Sequence, residues 1–496
     1  MNTTKHYING NYISGGIGFM QTVNPYTLQP FSKIEIGSDN EINFAVTSAK
    51  EAFSKWKYIG VTKRIDYVKK IASWLENEYG ETGYKTKLKE LIKNEMGKPL
   101  PETDIEIIES VDFINYFCNE ATNSLNVKKN KLDNSLWPNK KSIQVIEPIG
   151  VIGIIKPWNY PLEMIIWSMI PALLTGNTVV IKPSEKSSLV ALELAKAVKF
   201  SNIPDGVVNI VTGNSGTGKK LVAHKNIGMI SFTGSVDAGK NVSLSCAKNL
   251  KKCTLELGGN DCAIVTKNAN IDLAVNGIIW GSFTNAGQVC VGIKQVLVEK
   301  SIADILIKKL VEKTRLLKIG KDIGPIVDES QLNIALSMLQ DAKNKGAKFL
   351  TGGTRNKELD GYFLNPAIIT NLKENMELVN KECFAPVMPI YTVDSINDAI
   401  KIANNSKYGL GASIWTENKL EVESLASQLN VGMIWHNDVN IAFPSAVWSG
   451  RKNSGLGQEL SATSFEEYGY KKHICFEESY DSSRDWWYPY SSLKSI

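Results

Sequence analysis

The sequence is poor in the residues that build metal centres and disulfide frameworks. Among 496 residues there are four histidines, scattered along the chain, and seven cysteines, an odd number without a CxxC pair. A zinc-type His/Cys site is therefore not expected, and reduced thiols in a cytoplasmic setting fit best. The opening stretch MNTTKHYINGNY lacks an apolar h-region, which argues against a secretory signal. No apolar run is clean enough for a membrane span: the longest, from Leu162 to Val180, is interrupted by Glu163, Pro171, Gly176 and Asn177. It reads as a buried helix followed by a strand. Dense basic blocks are missing too. The formal charge of +5 comes from 56 basic and 51 acidic residues, a balance that reads as solvated surface and excludes a nucleic-acid partner.

What is present describes a large globular enzyme. Hydrophobic residues make up 43% and charged residues 22%, and the length calls for at least two cores. YINGNYIS carries a hairpin signal at Asn9-Gly10. Helical periodicity follows over Glu41–Trp56 and Arg64–Tyr79, and Gly97 and Pro99 stop the next helix. Residues 123–147 are polar and aperiodic, a loop by their composition. From Val145 short apolar runs alternate with helical stretches, the pattern of an α/β fold whose parallel sheet is covered on both faces. Such sheets bind ligands beyond the carboxyl ends of their strands.

Two glycine-rich stretches follow strands. GNSGTGKK, from Gly213 to Lys220, approaches a phosphate loop but ends in lysine where Ser or Thr must hold magnesium. A turn between strand and helix is the better account. FTGSVDAGK, from Phe232 to Lys240, does not fit GxGxxG, yet it opens a helix directly after a strand and offers backbone N–H groups to a phosphate.

Three further motifs carry chemistry. SFTNAGQVCV holds Cys290, LELGGN holds Glu256 and KPWNYP holds Asn159. Taken singly, a cysteine is more often inert packing, a glutamate a solvated strand end and an asparagine a turn residue. Together they supply a nucleophile, a base and an oxyanion donor. In this order, and over nearly the whole length, the motifs resemble the aldehyde dehydrogenase superfamily.

The resemblance implies a Rossmann-like cofactor domain (1–122 and 146–255), an α/β catalytic domain (256–440) and a small β oligomerisation arm with tail (123–145 and 470–496). Residues 441–469 return to the junction of the first two. It implies Cys290 as nucleophile, Glu256 as general base and Asn159, with the Cys290 N–H, as oxyanion hole. For the cofactor it implies Ile155, Lys156, Pro157 and Trp158; Lys182, Ser184 and Glu185; and Gly213. Phe232, Thr233, Gly234 and Ser235 would meet the pyrophosphate, and Leu257, Gly258, Glu382 and Phe384 complete the set. A carboxylate at Glu185 would accept from a ribose 2′-OH and repel a 2′-phosphate, which favours NAD over NADP. Ala385 stands where the family usually has glycine. The implied product is a carboxylic acid, formed through a thiohemiacetal and a thioester, in a homodimer or homotetramer.

Within the superfamily the chain looks most like the betaine-aldehyde and aminoaldehyde dehydrogenases. Tyr160, Trp167 and Trp448 match aromatic positions of their aldehyde tunnel, where π-faces hold a cation. Thr284 departs from that pattern, as does the segment before Trp448. A general aliphatic or semialdehyde dehydrogenase is the alternative, and a catalytically silent homologue a remote one. The aromatic tail, with Trp486, Trp487, Tyr488 and Tyr490, is expected to dock on a neighbouring subunit.

Overall fold

The computed structural model describes residues 2–77, 84–481, 484, 487 and 488. Among these residues two large sheets dominate. The first runs in the order Gly455–Leu456, Lys252–Glu256, Met229–Thr233, Val151–Ile155, Thr178–Lys182, Val208–Ile210, His6–Ile8, Asn11–Ile13. Its five central strands are parallel, and the flanking ones antiparallel. Every residue of Val151–Ile155, Thr178–Lys182 and Met229–Thr233 is buried, as expected where helices cover both faces.

The register aligns the strand ends. Thr233 pairs with Glu256, Phe232 with Ile155 and Ile155 with Lys182. The next residues along each strand, Lys156, Gly234 and Leu257, therefore emerge along one edge. Leu257 to Asn260 then cross to the second sheet, which starts at Asp261–Val265. That sheet runs Lys348–Thr351, Ala367–Thr370, Val387–Val393, Ile293–Glu299, Asp261–Val265, Gly411–Trp415, Met433–His436, parallel except for its first strand.

The predicted hairpin forms, with φ of 50° at Asn9 and 75° at Gly10 turning His6–Ile8 into Asn11–Ile13. The helix expected to run from Arg64 to Tyr79 spans Val61–Leu75, and Tyr79 lies outside the described residues. Residues 123–147 are not simply a loop. Lys128–Asn130 and Lys140–Pro148 join Gly469–Glu477 in a three-stranded antiparallel sheet. Of the aromatic tail, Trp487 and Tyr488 are exposed; Trp486 and Tyr490 lie outside the described residues.

The apolar run beginning at Leu162 is the helix Glu163–Thr175, buried on every side and ended by Gly176 at φ 102°. Asn177 then fastens three segments. Its Oδ1 accepts from the N–H groups of Ile149 and Gly150, and its Nδ2 donates to the carbonyls of Ala172 and Tyr468. The side chain is fully buried, so truncation strands main-chain polar groups without water. Asn177→Ala is expected to lower stability by about 1–3 kcal/mol, read as a lower urea midpoint at unchanged slope.

Candidate active site

Cys290 follows a turn that few sequences can form. Asn285, Ala286 and Gly287 have φ of 52°, 53° and 72°, three left-handed residues in succession. Such backbone persists only where its surroundings over-determine it. The Asn285 N–H donates to Glu102 Oε2 at 2.9 Å, and its Nδ2 donates to the carbonyls of Asn159 (3.0 Å) and Gln288 (3.2 Å). Gln288 donates back to the Asn285 carbonyl and accepts from the Val327 N–H. Lys294, buried beneath, donates to the Gly287 carbonyl at 2.5 Å. Gly287 cannot be replaced by a larger residue, since a Cβ there would lie 2.1 Å from the Ala385 carbonyl oxygen.

The two glycines of LELGGN are explained by the same close approach. A Cβ at Gly259 would sit 2.4 Å from the Cys290 carbonyl oxygen, and one at Gly258 would meet Glu382 Oε2 at 2.2 Å. The crossing between the sheets thus packs its backbone against the nucleophile turn on one side and Glu382 on the other.

Two cavities meet at Cys290. One, of about 780 Å³, is lined by Pro157, Trp158, Asn159, Thr233, Gly234, Ser235, Leu257, Gly258, Glu382 and Phe384. It lies beyond the carboxyl ends of the first sheet's strands, where Ser235 caps the helix Val236–Ala247 by accepting from the Ala238 N–H. Glycine at 234 leaves room, because a Cβ would lie 2.7 Å from the Phe232 ring. Glu382 accepts from the Gly259 N–H, and burial pushes its carboxyl up to about 7.

Other residues implied for the cofactor stand outside this cavity's lining. Lys182 and Glu185 pair at 3.3 Å at the end of the neighbouring strand, with Ser184 between them in sequence. Gly213 ends the segment after Val208–Ile210, at φ 149°. Ile155 and Phe232 are core residues directly behind the edge. Lys156 turns inward, donating to Thr233 Oγ1 at 2.9 Å and Glu459 Oε1 at 3.2 Å.

The second, narrower cavity holds Tyr160, Trp167 and Trp448 with Cys290. Trp167 stacks edge-on between Phe113 (5.4 Å) and Trp448 (5.1 Å). The same lining carries Lys98, Glu102, Glu109 and Glu163. Burial pushes Glu102 up to about 7. The sequence had offered GKPLPE only as helix punctuation and Glu163 only as a break in an apolar run; a charge inside a buried helix was the available signal.

Glu256 lines neither cavity. It is buried, and neither carboxylate oxygen has a hydrogen-bond partner. Burial first, and then the charge of Glu459, push its carboxyl well above the usual range, while Lys156 pulls it down. The Cys290 thiol is likewise pushed up, by burial and by the charges of Glu382, Asp261 and Glu256. Asn159 donates to the Gln288 carbonyl at 3.1 Å, and an amide has a second N–H to give. Glu459, absent from the sequence reading, is a hub: its carboxylate also accepts from Ser168, Ser231 and Tyr468. Among the described residues no group of three or more His, Cys, Asp or Glu side chains could hold a metal, and no helix is long and apolar enough to cross a membrane.

Comparison with known proteins agrees with this architecture. The profile of the aldehyde dehydrogenase family matches residues 13–474. A betaine aldehyde dehydrogenase of Bacillus subtilis (strain 168) is 32% identical over 481 residues, covering 94% of this chain and 96% of that protein. The peroxisomal aminoaldehyde dehydrogenase 1 of Pisum sativum is 34% identical over 484 residues, with 95% of each covered. Among solved structures, a point mutant of Staphylococcus aureus betaine aldehyde dehydrogenase, in complex with NAD+ and with a BME-modified cysteine, superposes with a TM-score of 0.92 at 30% identity, covering 98% of this chain and 99% of that one.

Proposed function

The chain belongs to the aldehyde dehydrogenase family, and from that premise we propose that this NAD(P)-dependent enzyme oxidises a cationic aldehyde, an ω-aminoaldehyde or betaine aldehyde, to its carboxylic acid. The observation that carries the reading is the second cavity. It joins Cys290 to Tyr160, Trp167 and Trp448 and to the carboxyl groups of Glu102, Glu109 and Glu163, with Lys98 among them. Aromatic faces and carboxylates both favour a positive charge over a neutral or anionic tail. The names of the pea and Bacillus relatives point the same way.

The roles follow from placement. Cys290 stands where the two cavities meet, so a carbonyl in one is attacked beside a ligand in the other. The thiolate is the reactive form, and burial opposes it here, so a base must take the proton. Glu256, whose charge is felt at the thiol, is that base and later activates the water that frees the acid. The remaining Asn159 N–H and the Cys290 N–H hold the oxyanion. Attack gives a thiohemiacetal on Cys290, and loss of hydride gives a thioester.

NAD+, when bound, supplies the hydride acceptor. The first cavity suits it: a helix N-terminus at Ser235 for the pyrophosphate, and glycines whose side chains would block the space. Lys182 and Glu185 would meet the adenosine ribose, where the Glu185 carboxylate would favour NAD over NADP. Glu382 and Phe384 hold the nicotinamide end. The sheet containing Gly469–Glu477, with Tyr470 and Phe476 exposed, is the arm through which subunits join as a dimer or tetramer. All seven cysteines are free thiols, which suits the cytoplasm.

The test is NADH formation with betaine aldehyde, 4-aminobutyraldehyde, a neutral aliphatic aldehyde and succinic semialdehyde, with NADP+ in parallel. The cationic aldehydes are expected to give the highest kcat/KM, and NAD+ to outperform NADP+. Equal or better turnover of the neutral or anionic aldehydes would reduce Tyr160, Trp167 and Trp448 to packing.

A further inference from the structure

Within the aldehyde cavity one buried carboxyl group keeps an oxygen without a partner. Glu106 is fully engaged, paired with Lys98 at 2.6 Å and accepting from the Leu162 N–H at 2.9 Å. Glu102 is engaged by the Asn285 N–H. Glu163, at the start of the helix Glu163–Thr175, is only 4% exposed, yet its Oε2 has no hydrogen-bond partner. Its carboxyl is hydrogen-bonded to that of Glu109, which leaves Oε2 as the free oxygen. Burying a carboxyl unsatisfied is costly, and a leucine would fill the same place in this apolar helix without that cost. Burial and the charges of Glu109 and Glu106 push the Glu163 carboxyl well above its usual range, and Lys98 only partly offsets them.

The aromatic part of the cavity is, by contrast, partly taken. The Lys98 ammonium lies 3.5 Å from the centroid of the Tyr160 ring and is itself buried. Tyr160 thus already holds a cation belonging to the protein. A trimethylammonium group would meet that positive charge, and it has no N–H to offer Glu163. A primary ammonium has three.

We propose that Glu163 is a specificity-determining residue that receives the primary ammonium of an ω-aminoaldehyde, while Lys98 on Tyr160 disfavours quaternary ammonium groups. The proposal rests on the reading that the cavity takes cationic aldehydes and narrows it to one class. It chooses between the two substrates that sequence similarity alone leaves equal.

The experiment compares kcat/KM for 4-aminobutyraldehyde, for pentanal, its neutral isostere, and for betaine aldehyde, in the wild type and in Glu163→Gln. The wild type should favour 4-aminobutyraldehyde over both others. In Glu163→Gln the ratio of 4-aminobutyraldehyde to pentanal should fall about five- to tenfold, because the amide oxygen still accepts from the ammonium but without the charge. A wild type indifferent to charge would sink the cationic reading itself. A wild type that prefers the aminoaldehyde, with the ratio kept within about twofold in the variant, would remove Glu163 alone. Betaine aldehyde matching or exceeding 4-aminobutyraldehyde would overturn the exclusion by Lys98. Should the variant not fold, inhibition of the wild type decides: n-butylammonium must compete better than tetramethylammonium, and the reverse order overturns the proposal.

Discussion

Cys290→Ala is expected to abolish aldehyde oxidation, with kcat falling by about 10⁴–10⁶-fold, as when a covalent nucleophile is removed elsewhere. The argument is positional. Among the described residues lining the two cavities, Cys290 supplies the sole thiol, and it lines both. Cys262 and Cys383 are near in sequence terms to the site motifs, but both are buried and neither lines either cavity. The substitution removes one sulfur from a position framed by backbone, so the turn that precedes it keeps its bonds to Glu102, Gln288 and Lys294. The measurement is steady-state NADH formation beside tryptophan-fluorescence titration with NAD+. Turnover within about tenfold of wild type, with cofactor binding retained, would place the nucleophile elsewhere.

Local chemistry was legible wherever the chain encodes it locally. Asn9-Gly10 predicts a hairpin because left-handed φ is inexpensive there, and the hairpin forms. Alternating apolar runs and helices predict the parallel sheet, and it is there. Composition alone hides what depends on partners remote in sequence, and β structure near 123–145 and 470–496 is expected only from the resemblance. Lys140–Pro148 pairs with Gly469–Glu477 across the length of the chain. Its residues are mostly half-exposed, so no two-residue period marks the strand. The site divides in the same way. GQVC, LELGG and KPWNYP announce themselves by resemblance. Lys98, Glu102, Glu163 and Glu459 gain meaning only through what they face. Glu459 sits in a glycine-rich run that looks like surface loop, yet it is buried against Lys156, Ser168, Ser231 and Tyr468.

Glu256→Gln should separate the two halves of the reaction. The amide keeps the shape of the side chain but cannot accept a proton from water, so thioester hydrolysis should slow by about 10²–10⁴-fold, the usual worth of a positioned general base. One equivalent of NADH per active site should appear and then stop, leaving an acyl group on Cys290 that intact-protein mass spectrometry would detect. Because Glu256 also takes the thiol proton, that burst should itself be slower than in the wild type. The pH profile reports the same group. Burial and the nearby Glu459 hold the Glu256 carboxyl above its ordinary range, so it loses its proton only as pH rises. Wild-type turnover should therefore rise with pH above the ordinary carboxylate range, and the Gln variant should lack that limb. Steady-state turnover in Glu256→Gln within about threefold of wild type, with the pH limb intact, would assign the base to another group. Glu459, which already spends its carboxylate on four donors, has little capacity left to replace it.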